Sequence, residues 1–106
     1  MTPAEMLEAA AAVQRERMGL YGRNYIEAGK ALAAMFPGGL HLVTPRDHVR
    51  YHLLSWMVGK LTRYTHSWGE GGHADSIKDA SVYAMLVAYV DGLSDEEIAA
   101  ATEKSG

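Results

Sequence analysis

Lys60, Arg63 and Tyr64 stand within about one helical turn of each other, and Asp75 and Asp79 follow one turn apart a short way downstream. On a helix, residues three and four apart share a face. The first group therefore offers cations and an aromatic ring, the second a pair of carboxylates. Lys60 falls in the middle of an apolar stripe that includes Val49, Leu53 and Trp56. An ammonium there is costly to bury unless its charge is matched. One reading is a buried Lys60–Asp79 ion pair that fixes the register of two helices. The other is a charged site at the helix ends, and the two readings are compatible. Arg46 and Arg50 extend the cationic side towards the other end of the same helix. Guanidinium groups on such a face can meet phosphate bidentately without a metal.

The histidines divide in two. His48 and His52 are one turn apart with Asp47 beside them, a spacing that can hold a metal. Both turn away from the apolar stripe, no third ligand has matching spacing, and they read as solvent-exposed. His66 and His73 flank Ser67-Trp68-Gly69-Glu70-Gly71-Gly72 and suit the rim of a polar pocket. That loop lacks the lysine and hydroxyl of a Walker motif. It is either an ordinary connection or a source of backbone amides for a phosphate at the next helix start. Tyr21, Arg23, Asn24 and Tyr25 form a further cluster. They can stack a base and bond its edge, or they can simply pack. No Ser/His/Asp arrangement is present, and a chain without cysteine excludes thiolate chemistry and disulfides.

These residues must be positioned by helices. Thr2-Pro3-Ala4-Glu5, Thr44-Pro45-Arg46-Asp47 and Ser94-Asp95-Glu96-Glu97 each set a capping hydroxyl three residues before a carboxylate. The pattern predicts helices over 3–18, 24–36, 45–64 and 75–90, then a short acidic helix. Gly19 and Gly22 break the first, Pro37-Gly38-Gly39 is a turn, and residues 40–43 are extended. Val49, Leu53, Trp56, Met57, Leu61 and Tyr64 recur at helical spacing as a core stripe. Residues 82–90 are apolar nearly all round, which predicts the most buried helix. The helices over 45–64 and 75–90 are joined by a short loop and should pack antiparallel.

The fold class that follows is all-α, four to five helices around an antiparallel hairpin, in one domain over 1–106. A chain of 106 residues with so apolar a helix is expected to complete its core as a homo-oligomer. The net charge of −3 provides no basic field for duplex nucleic acid. No apolar run spans a membrane, the start does not read as a signal peptide, and a cytoplasmic location is expected.

Three blocks carry a family resemblance. Tyr21-Gly22-Arg23-Asn24-Tyr25, Lys60-Leu61-Thr62-Arg63-Tyr64, and Gly72-His73-Ala74-Asp75-Ser76-x-x-Asp79 with Tyr83 resemble small phage and prophage proteins related to the MazG-like all-α nucleotide pyrophosphohydrolases. The likeness covers roughly 17–93. Enzymes of that family hold Mg²⁺ with a Glu-Glu-x-x-Glu pattern on one helix and Glu-x-x-Asp on the next. Here Asp79 and Tyr83 match the second pattern, Ser76 stands at its glutamate, and Asp75 is a substitute one residue away. The first pattern is absent, and Asp47 is the sole carboxylate over 45–64. The resemblance implies nucleotide binding or sequestration without turnover, with no cofactor. In a phage, the ligand could be a host immune signalling nucleotide. Lys60, Arg63, Tyr64, Tyr25, Asn24, Arg50, Asp75, Asp79, Trp68 and His73 are the expected binding residues. The alternatives are an Mg²⁺-dependent pyrophosphohydrolase using Asp75, Asp79 and Glu70, or a structural helical module.

Overall fold

A computed structural model describes residues 1–104, with all side chains except those at 20, 21 and 102–104. The place of the Tyr21 ring in the aromatic cluster therefore lies outside the described residues. Five α-helices follow in order: α1 (Pro3–Tyr21), α2 (Asn24–Met35), α3 (Pro45–His66), α4 (Ala74–Asp91) and α5 (Asp95–Lys104). The α3–α4 connection contains a 3₁₀ turn at Trp68–Glu70. No strand occurs among the described residues, and 40–43 form an irregular link. No helix among them is long and apolar enough to cross a membrane.

The helix starts are made by the boxes read from sequence. Thr2 Oγ1 accepts from the Glu5 amide and the Glu5 carboxylate accepts from the Thr2 amide, both at 3.2 Å. Asp47 and Thr44 exchange the same bonds at 3.1 and 3.2 Å, and Val43 N–H adds a third at 3.2 Å. Ser94 and Glu97 do so at 3.1 and 3.3 Å. Each box satisfies amides that the first helical turn leaves without partners. α1 ends at Gly22, whose φ of 61° belongs to the left-handed region.

α3 is the centre of the molecule, with α4 on one flank and α2 on the other. Three pairs fix the α3–α4 register: Arg50 with Asp91, Trp56 with Tyr83, and Lys60 with Asp79. Numbers rise on one helix as they fall on the other, so the helices run antiparallel. The core gathers Leu53, Val90 and Ile98, with Val49, Tyr83, Val87 and Leu93 against them.

The structure departs from the sequence pattern at two places. Within the supposed core stripe Trp56 is 48 % exposed and Leu61 is also exposed, while Val58, off that stripe, is 3 % exposed. The cause is that α3 is covered from two sides, so its buried residues divide between two narrow stripes. α4 is not the most buried helix either. Its Ala80, Tyr83, Val87 and Val90 face inward, but Val82, Met85, Leu86 and Tyr89 are exposed. One neighbour covers one side of a helix that is apolar on two.

Candidate functional site

α2 is fastened to α3 by a polar clamp. Asn24, the first residue of α2, is buried, and its Nδ2 donates to the Gly59 carbonyl at 3.2 Å. Thr62 Oγ1 bonds the Asn24 Oδ1 and also reaches the Gly59 carbonyl at 3.0 Å. A buried amide needs such partners. This clamp sets the start of α2 against the C-terminal half of α3, where the expected cations lie.

Arg63 faces two hollows. One, about 240 Å³, lies where α1 ends and α2 begins, and is lined by Gln14, Arg17, Gly22, Asn24, Tyr25 and Arg63. The other, about 280 Å³, lies along α3 and α4, and is lined by Ser55, Trp56, Gly59, Lys60, Arg63 and Tyr83. Arg17 and Lys60 thus sit on either side of Arg63. Tyr25 is exposed at the first hollow, and Trp56 and Tyr83 meet at 5.4 Å between ring centroids beside the second. Cations and aromatic faces around the same hollows suit an anion attached to a planar ring.

The carboxylates are placed differently. Lys60 Nζ lies 3.0 Å from Asp79 Oδ2, so the anticipated pair forms. It is not buried: the side chains are 23 % and 49 % exposed. The pair lies across the edge of the α3–α4 contact, where water reaches the carboxylate. Asp75, one turn earlier on α4, is exposed. Among the described residues no three His, Asp or Glu side chains converge on a point that could hold a metal. For Mg²⁺, a cation that takes carboxylate oxygens, the donors at hand are Asp75 and an Asp79 already engaged by Lys60.

Other expected residues lie elsewhere or have local duties. Arg50 is far along α3, bonded through Nε to Asp91 at 2.7 Å and 3.7 Å from Asp47. It rims a separate hollow with Phe36, Leu40, Asp47, Tyr51 and Leu54, apart from Lys60 and Arg63. His73 caps α4: its Nδ1 lies 2.6 Å from Ser76 Oγ and accepts from the Ser76 amide at 3.3 Å. That amide is therefore taken, and the helix start keeps less to give a phosphate. Tyr64 and Trp68 meet edge-to-face at 6.0 Å, with Trp68 exposed. Gly72, at φ +88°, lies under Tyr64; a Cβ there would stand 2.5 Å from the ring. His48 and His52 are exposed as expected, the former 2.8 Å from the Thr44 carbonyl, the latter against Trp56 at 4.0 Å.

Arg17, Gln14 and Trp56 were missed as lining residues. Arg17 had one usable signal: it shortly precedes the Gly19 and Gly22 break, where the chain must turn back towards Asn24. Trp56 lies on the stripe that reads as core. No family model, curated protein or solved structure matches this chain.

Proposed function

We propose that the chain binds a nucleotide through its phosphate, in the hollows flanking Arg63, and holds it without turnover. The observation that carries this reading is the position of Arg63 on both hollows, with Arg17 on one side and Lys60 on the other. Each charge-assisted hydrogen bond to phosphate contributes about 1.5–3 kcal/mol net. Stacking on Tyr25 or Trp56 adds about 1–3 kcal/mol per base. Two or three contacts of each kind reach roughly micromolar affinity after association costs. The resemblance to MazG-like nucleotide pyrophosphohydrolases in the Lys60–Tyr64 and Asp75–Asp79 blocks agrees with a nucleotide as ligand. Occupation of Asp79 by Lys60 favours retention over metal-assisted hydrolysis. For a phage-encoded chain, such retention amounts to sequestration of a signalling nucleotide.

The test is titration calorimetry against a panel of linear and cyclic nucleotides, in EDTA and in Mg²⁺, with an assay for pyrophosphate. Binding in EDTA is expected, weakened by salt. Arg63→Ala and Lys60→Ala should reduce it more than His48→Ala or His52→Ala. Binding that needs Mg²⁺ and releases pyrophosphate would establish hydrolysis through Asp75 and Asp79 instead. Absence of binding across the panel would leave a structural helical module.

A further inference from the structure

α1 stands away from the body. Every residue over 1–17 is exposed, and the packed helix pairs all involve α3, with α2, α4 and α5 as its main partners. At 1.5 Å per residue, α1 is about 28 Å long. In proteins most of a helix's stability comes from packing one of its faces against something. At 100° per residue Met6, Leu7, Ala10 and Val13 share one side, with Gln14 and Arg17 towards its C-terminal end, and Glu5, Glu8 and Glu16 lie on the other. The outward side of α4 carries Val82, Met85, Leu86 and Tyr89, all exposed, with Met85 at 71 %. Two helices of nearly equal length, 19 and 18 residues, thus each present an uncovered apolar side.

The whole chain shows the same surplus. Its accessible surface is 7783 Å², where a compact chain of 11.5 kDa exposes about 5,800 Å². Its radius of gyration is 17.1 Å, against about 13 Å for a compact domain of this length. The excess of roughly 2,000 Å² per chain falls within the area that obligate homodimers bury, roughly 1,000–2,500 Å² on each partner.

We infer that the occupant of both faces is a second copy of this chain, with α1 of each protomer laid along the outward side of α4 of the other. Packing α4 on α4 alone would leave the α1 stripe in water. Reciprocal exchange covers both in one two-fold contact, since a surface that fits in one direction fits in the other. The small Ala10 and Ala11 side chains let the backbones approach closely. The exchange also bears on the proposed binding site. Gln14 and Arg17 belong to α1 and line the hollow beside Arg63, so docking of the arm would hold one wall of it. That last consequence rests on the phosphate-binding reading; the dimer does not.

Light scattering coupled to gel filtration should give twice the mass of one chain at tens of micromolar. Leu7→Glu and Met85→Glu should each give single-chain mass while α3 and α4 keep their helical circular dichroism. The natural chain has no cysteine, so a second measurement is clean. Leu7→Cys and Met85→Cys variants, mixed and oxidised, should yield chiefly the mixed disulfide dimer. Single-chain mass for the natural protein overturns the proposal. Predominance of the Met85→Cys homodisulfide overturns the exchange by placing α4 on α4. Ligand affinity is measured separately, so a dimer without binding refutes only the phosphate reading.

Discussion

At the residue scale, the Lys60–Asp79 contact is an ion pair open to water, and that decides its weight. Exposed pairs contribute about 0.2–1 kcal/mol, whereas breaking a buried one costs about 3–5 kcal/mol. Asp79→Ala should therefore lower stability by no more than about 1 kcal/mol in urea denaturation. A phosphate entering the hollow competes with Asp79 for the same ammonium, so Asp79→Asn should tighten binding while Lys60→Ala loosens it. Gly72 is the opposite case, small in chemistry and large in consequence. Gly72→Ala puts a Cβ into the Tyr64 ring and forces an L-residue to φ +88°. The left-handed conformation alone costs about 1–3 kcal/mol. A lowered Tm and altered Trp68 fluorescence should report it, since Trp68 rests against Tyr64.

At the scale of elements, the helix starts were legible because capping is local: Thr2, Thr44 and Ser94 find their partners three residues on. The Lys60–Asp79 register was legible for a related reason, as a short loop leaves two helices few ways to align. Burial was not. Trp56 and Leu61 looked like core because a single stripe assumes a single neighbour, and no local pattern announces that α2 will clamp the other flank through Asn24. Arg50 looked like part of the site until Asp91, forty-one residues away, was placed beside it. The α3 cap also has a pH signature. The Thr44 amide, then that of Val43, holds the Asp47 carboxyl below the ordinary carboxylate range, with the Thr44 hydroxyl and Arg50 adding to this. A depressed carboxyl stabilises the fold above its unfolded pKa and loses that contribution as pH falls through the folded value. Asp47→Asn should flatten the acid limb of the stability curve, measured as Tm against pH between neutrality and pH 3. Thr44→Ala should cost about 1 kcal/mol at neutral pH.

At the scale of the whole molecule, the proposed dimer would link helicity to association. α1 has nothing of its own to rest on over 1–17, so its helix should strengthen when the arm docks. Far-UV ellipticity per residue should fall on dilution from tens of micromolar to well below one micromolar, while the fluorescence of Trp56 on α3 and Trp68 in the turn after it follows a separate course. A flat ellipticity over that range would mean that α1 is helical alone.

With the proposed dimer, the bare arm would also tie the protein's survival to its own abundance. A freshly made chain carries an exposed arm over 1–17, the kind of segment that proteases seize and that quality control recognises by its apolar side. If the proposed dimer forms, each chain is safe only once it has met another. Scarce chains would be cleared quickly and plentiful ones would persist, so the level in a cell would rise through a threshold rather than in proportion to synthesis.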